Sequence, residues 1–320
     1  MSEPLLQVKN VKTYFYTMRG IVRAVDNVSL ELSKGESLGL AGESGCGKST
    51  LAFTIIRLVP PPGRIVDGNI VFQGKDITKM SEEEFRREIR WKGISMIFQG
   101  AMNVLNPVYT VGDQIAEVLM LHKKYTKKEA LAEAAKLLQM VGIEPRRLKS
   151  YPFELSGGMK QRVVIAMALA LNPPLVIADE PTTALDVVVQ AQIMNLLKKL
   201  KRELKTSIIL ISHDLSLIAE LADKVAIMYA GKIVEYGVSD YVYKNSKHPY
   251  TQGLIGSIPR LRGEIRDLTW IPGTPPDLRY PPPGCRFHPR CKYVMEKCKK
   301  EEPPLVEIEK GQYVACWLYA

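Results

Sequence analysis

Apolar and polar positions alternate with period two over residues 5–15 and 24–32. That alternation predicts half-buried strands. Residues 37–41 (SLGLA) form a short continuous apolar run, which predicts a buried strand leading through a Gly-rich loop into a helix near Lys48. The stretch 60–68 (PPPGRIVDG) carries turn signals, and 69–74 (NIVFQG) reads as the next strand. From about Ser81 to Leu171 the spacing becomes helical. SEEEFRREIRW opens on a Ser followed by acids, a helix N-terminus pattern. Residues 126–143 keep helical spacing and should stop near Gly142. LVIAD (175–179) and SIILIS (207–212) predict buried strands on either side of an amphipathic helix at 191–204. Residues 224–237 predict a hairpin turning at Ala230–Gly231. Strands alternating with helices imply an α/β fold, with a mainly parallel sheet covered on both faces.

The pattern changes near Asp240. Residues 241–320 hold 11 of the 21 prolines, which predicts a separate, loop-rich C-terminal domain. The expected organisation is a main domain at 1–240, a helical subdomain within it at roughly 100–172, and a small irregular domain at 241–320. The longest apolar run, residues 163–171, is about half the ~18–20 residues that cross a bilayer. The N-terminal residues MSEPLLQVKN lack a basic-then-apolar leader. The chain is therefore expected on the cytoplasmic side, meeting a membrane only through partners.

Hydrophobic residues make up 46% and charged residues 24%, a globular balance. The net charge of +10 suits polyanions or anionic surfaces. No dense Lys/Arg run carries interleaved aromatics, so nucleic acid is not the expected partner.

The clearest chemistry lies at residues 42–49, which match G-x-x-x-x-G-K-[ST]. The loop follows a predicted buried strand and precedes a helix, where backbone N–H groups and the helix N-terminus favour phosphate. Gly42, Ser44, Gly45, Cys46, Gly47, Lys48, Ser49 and Thr50 are the candidate nucleotide contacts. Lys48 would reach the outer phosphates and Ser49 would hold Mg²⁺; Cys46 reads as a small filler. A second candidate is Asp179–Glu180, at the end of an apolar strand. Asp179 would bind Mg²⁺ through water, and Glu180 would polarise an attacking water.

Between these two lies Leu155-Ser156-Gly157-Gly158, followed by Met159-Lys160-Gln161-Arg162. In order along the chain come an aromatic near Phe15, the phosphate loop, Gln99, this signature, Asp179–Glu180, Ala184-Leu185-Asp186 and His213. Over roughly the first 240 residues the chain resembles the ABC ATPase family. The resemblance implies a P-loop NTPase core with an inserted helical subdomain. It also implies a head-to-tail dimer in which Ser156, Gly157 and Gly158 of one subunit complete the phosphate cradle of the other. Phe15 would stack on adenine, although Tyr14 and Tyr16 lie close enough to leave that choice open. Gln99 would sense Mg²⁺ and the attacking water, His213 would touch the γ-phosphate, and Asp186 is a further candidate nucleotide contact.

A narrower resemblance covers nearly the whole chain. Residues 158–170, 177–186 and 105–115 are similar to the dipeptide/oligopeptide importer ATPases, and more to that family's first ATPase subunit than to its second. This implies a second, different ATPase subunit, two transmembrane permeases and an extracytoplasmic solute-binding protein as partners, with peptides or a related solute such as oligosaccharides as cargo. A soluble ABC ATPase acting on nucleic acid or ribosomes is the competing reading. One nucleotide domain without a long insertion weighs against it, and the presence of Glu180 and His213 weighs against a scaffold with inactive sites. One departure stands out: Gly100 and Ala101 follow Gln99, where the family pattern has an acid and a proline.

Cys285, Cys291, Cys298 and Cys316 all fall in the last 36 residues, spaced C-x5-C-x6-C-x17-C. A reducing compartment disfavours disulfides, so the set reads as a metal site. The spacing lacks the short paired knuckles of structural zinc and differs from the ferredoxin run, which leaves zinc and unligated thiols open. The resemblance to the peptide-importer tail implies an iron–sulfur cluster, [4Fe–4S] in type.

Overall fold

The computed structural model describes residues 3–100, 104–257, 270–309 and 311–320. In chain order the elements are β1 (Leu6–Thr17), β2 (Gly20–Leu32), β3 (Ser37–Ala41), α1 (Lys48–Ile55), β4 (Gly63–Phe72), β5 (Lys75–Asp76), α2 (Glu82–Glu88), β6 (Ile94–Ile97), α3 (Val111–Lys123), α4 (Lys127–Met140) and α5 (Gly157–Leu169). Then follow β7 (Leu175–Asp179), α6 (Val187–Leu204), β8 (Ser207–Ile211), α7 (Leu215–Leu221), β9 (Lys224–Tyr229), β10 (Lys232–Val238), α8 (Ser239–Lys244), α9 (Pro249–Gly256), α10 (Glu296–Lys300), β11 (Val306–Glu309) and β12 (Gln312–Val314). The chain divides into two compact units, residues 1–78 with 210–320, and residues 79–209.

The first unit holds an antiparallel sheet in the order β2-β1-β4-β5 and a run of strands in the order β11-β12-β10-β9-β3. Leu6, Val8, Val11 and Thr13 of β1 point into the core, and the Thr13 hydroxyl meets that of Thr54 on α1 at 2.8 Å. β3 is parallel to β9, and α7 lies close against it because Gly39 has no side chain: a Cβ there would strike Ile218. The hairpin turns at Ala230 and Gly231, both at positive φ. The described C-terminal residues belong to this unit. β12 pairs antiparallel with β10 and β11 with β12.

The second unit packs α2–α6 with the parallel pair β6–β7. Capping boxes at Ser81 and Thr126 start α2 and α4, each satisfying two backbone donors. α4 ends before Gly142, which takes φ 75°.

Three local expectations differ from the observed elements. β6 falls inside the stretch read as helical, because four buried residues pair with β7 rather than extend a helix. β4 begins at Gly63, so most of the expected turn at 60–68 is strand, paired to β1 through Phe15↔Gly63. The first unit is mostly antiparallel; its parallel pair is β3–β9. Ala101 lies outside the described residues, and Gly100 has φ 77°.

Candidate functional site

In the first unit, the loop from Gly42 to Gly47 joins β3 to α1. Gly42 and Gly47 take φ 150° and 109°, conformations that L side chains rarely adopt. A Cβ on Gly42 would strike the Met228 carbonyl, and one on Gly47 would strike that of Ala24. Glycine is thus required at both ends of the loop. Lys48 is buried, and its Nζ donates to the Gly42 and Glu43 carbonyls at 2.8 and 3.0 Å. The amine is thereby held against its own loop. Burial pushes the Cys46 thiol up despite the nearby Lys48 charge, so Cys46 is a neutral filler. Phe15 packs against Gly63, while the Tyr14 hydroxyl donates to Asp26 at 2.6 Å and Tyr16 lies under the Arg64 guanidinium. His213 follows β8 and is exposed.

In the second unit, β7 is buried throughout and ends at Asp179, 2% exposed. Glu180 then turns into the left-handed region at φ 45°. Such strain in a non-glycine residue persists where surrounding contacts hold it. Gln99 Nε2 donates to Glu180 Oε2 at 2.8 Å and the Thr183 hydroxyl donates to the same oxygen at 2.9 Å. Gln99 and Glu180 are therefore brought together, and Thr183, which sequence reasoning missed, completes the clamp.

Within this unit the signature lies against α6, the helix that Asp186 caps. Ser156 caps α5, accepting from the Met159 N–H at 3.3 Å, and Asp186 caps α6, accepting from the Val189 N–H at 2.9 Å. Gly158 faces Val189 so closely that a Cβ would come within 2.7 Å of it. A shallow pocket here is lined by Ser156, Gly158, Arg147, Arg162 and Arg146, the last ion-paired to Glu144 on the same wall. Sequence reasoning named Arg162 within the signature stretch but missed Arg146 and Arg147.

In the tail, Cys285, Cys291, Cys298 and Cys316 line one small enclosed cavity, closed by Phe287, Met295 and other tail residues. The Cys285 N–H donates to the Cys298 carbonyl at 2.8 Å. Burial pushes the Cys285 thiol up to about 12 and also raises those of Cys291 and Cys316. Among the described residues, no three His, Cys, Asp or Glu side chains are set to hold one metal ion.

A family model described as "ABC transporter" matches residues 25–183, and one described as "Oligopeptide/dipeptide transporter, C-terminal region" matches residues 234–298. The dipeptide transport ATP-binding protein DppD of Bacillus subtilis is 50% identical over 319 residues, covering 99% of this chain and 95% of that protein. The chain belongs to the ATP-binding subunits of dipeptide and oligopeptide ABC transporters. Members of this family hydrolyse ATP to power transport. The oligopeptide transport ATP-binding protein OppD of Escherichia coli (strain K12) is 48% identical, covering 99% of this chain and 94% of that protein. The dimeric structure of the ATP-binding cassette MJ0796 in a post-hydrolysis state, bound to ADP and Pi, matches with a TM-score of 0.64 and 31% identity over 73% of this chain and 98% of that one. The ABC ATPase fold expected from the sequence is thereby shown.

The C-terminal family match overlaps the tail segment that reaches the phosphate loop. Glu43 is held by the Arg290 guanidinium through two bonds of 2.7 and 2.9 Å, and its N–H donates to the Tyr250 hydroxyl at 2.8 Å. Arg290 lies in the segment 284–291 that resembles the peptide-importer tail, but neither contact with Glu43 carried a sequence signal, since each partner lies more than 200 residues away. Among the described residues no helix is long and apolar enough to cross a membrane.

Proposed function

We propose that this chain is the ATP-hydrolysing motor of a peptide importer, held at the cytoplasmic face of the membrane by two permease subunits. The observation that carries the reading is Glu180, held by Gln99 and Thr183 at the turn after a buried strand. A carboxylate so fixed is suited to take a proton from an attacking water. Lys48 and the N–H groups of the loop from Gly42 to Thr50, with the side chains of Ser44 and Ser49, bind the phosphates. His213 orients the γ-phosphate and Phe15 stacks on the adenine. Asp179 is a buried carboxylate on an apolar strand, which calls for a cation. The family resemblance implies Ser49, Gln99 and Asp179 as the Mg²⁺ ligands, and the ion would neutralise charge on the outer phosphates when bound. Glu180→Gln keeps the shape and removes the base. ATP binding should persist while turnover falls by roughly 10²-fold or more; hydrolysis at the parental rate would overturn the assignment.

The signature acts in trans: Ser156, Gly157 and Gly158 of one subunit face the nucleotide of its neighbour, and Asp186 is a further nucleotide contact. The dimeric state of MJ0796 supports a two-cassette assembly. The neighbour is a second, different ATPase subunit. Co-purification with the permeases should recover both chains in equal amounts; a motor made of two copies of this chain would refute it. Cargo reaches the permeases from an extracytoplasmic binding protein. Peptides follow from the relatives at 48–50% identity, which are dipeptide and oligopeptide transport proteins.

The four tail cysteines bind an iron–sulfur cluster. Four thiols lining one cavity support this, and their spacing lacks the short paired knuckles of structural zinc. Buried thiols whose pKa values are raised ionise only beside a compensating cation. The cluster would staple a tail that is poor in regular structure. Purified without oxygen, the protein should be brown and lose its colour on Cys291→Ser; a colourless preparation with one zinc per chain would reverse the reading.

A further inference from the structure

Arg290 stands next to Cys291 in sequence, yet its guanidinium is 8% exposed and directed at the phosphate loop. It binds both oxygens of Glu43, donates to the Tyr229 hydroxyl at 3.3 Å and, through Nε, to the Pro272 carbonyl at 2.7 Å. Tyr229, Tyr250 and Phe287 pack as a ring cluster behind it. Glu43 is the second residue of the loop, and its own carbonyl is one of the two that Lys48 Nζ contacts. An unneutralised carboxylate at that position would oppose a polyanion, and an untethered one would let the first turn of the loop move. A two-bond Arg–carboxylate pair fixes both charge and geometry.

We infer that Arg290 is a positioning residue of the nucleotide site: from the cysteine-bearing tail it neutralises and pins Glu43, and so sets the phosphate loop for ATP. This rests on the reading of residues 42–50 as the nucleotide loop. It makes the tail part of the motor's nucleotide site, and damage to the cysteine segment should weaken ATP binding through Arg290.

The test is titration of the full chain with a fluorescent ATP analogue. Arg290→Met should weaken binding about tenfold at 50 mM salt and by less at 500 mM, because screening shortens the reach of the freed Glu43 charge. Adding Glu43→Gln to Arg290→Met should restore most of the affinity. Arg290→Gln, which keeps a donor for Pro272 but no charge, should behave like Arg290→Met and serves if the latter does not fold. Affinity unchanged in both single variants, a loss independent of salt, or no rescue by Glu43→Gln would each overturn the inference. Lys48→Ala separates the two readings. If the parent binds and Lys48→Ala does not, the nucleotide loop stands whatever Arg290 does.

Discussion

Arg286→Met removes one half of a buried ion pair, and the cost follows from what remains. Arg286 is 7% exposed and Asp26 12%. One guanidinium nitrogen donates to Asp26 and the other to the Ala230 carbonyl at the hairpin turn. Breaking a buried pair from one side costs about 3–5 kcal/mol, because the other charge stays buried. Asp26 retains the Tyr14 hydroxyl at 2.6 Å and Lys232 at 3.8 Å, which places the loss near the lower end. The Ala230 carbonyl loses its donor as well, adding about 1 kcal/mol. The expected sum is about 3–4 kcal/mol. At about 2–4 °C per kcal/mol, the rate for a unit of about 150–250 residues, the melting temperature should fall by roughly 6–16 °C. Urea and thermal unfolding followed by circular dichroism measure it. Adding Asp26→Asn removes the stranded charge and should recover about 2 kcal/mol. A loss under 1 kcal/mol, or a double variant no more stable than Arg286→Met, would refute the reasoning.

Thr183→Ala frees one side of the Glu180 carboxylate and should lower kcat by about tenfold with nucleotide affinity unchanged, read from steady-state ATPase rates. Gly47→Ala forces a Cβ onto the Ala24 carbonyl at φ 109° and should weaken nucleotide binding by about 10²-fold or more; parental affinity in that variant would show the loop to be pliable. The Asp26 carboxyl is raised by burial, but the Tyr14 hydroxyl and the Lys232 and Arg286 charges outweigh this and hold it below its ordinary value of 3.8. Its contribution is present above that value and is lost as pH falls through the lowered one. The stability gap between parent and Asp26→Asn should therefore narrow from pH 6 to pH 2.5 in urea titrations.

The parts of the site legible in the sequence are those whose chemistry is local. Gly42 and Gly47 are dictated by their own backbone angles, and the loop they bound is recognisable from eight residues. Asp179 and Glu180 are legible only together with the phosphate loop, because an apolar strand ending in two acids is by itself as often a solvated acidic turn. β6 was not legible, since residues 94–97 become a strand only by pairing with β7, and helix signals lie on either side. β4 was shortened in the reading because proline and glycine at 60–63 mark a turn locally, while the pairing with β1 that extends the strand is distant. The grip of Arg290 and Tyr250 on Glu43 joins residues more than 200 positions apart, and no spacing rule reaches that far. The cysteines were legible as a set, but their spacing left the ion open; the cavity they share is a property of the fold.

The pairing of β12 with β10 has a consequence for how this protein is made. β10 is a buried strand whose outer hydrogen-bonding edge is covered at Glu235 and Tyr236 by Val314 and Tyr313. During synthesis that edge stays bare until the last of these residues has left the ribosome. A bare strand edge is a template for other chains, and partly made proteins are most exposed to such pairing. Translation stalled or terminated after about residue 300 should yield chains that fold most of the first unit yet aggregate edge to edge, so the tail also acts as a seal against self-association.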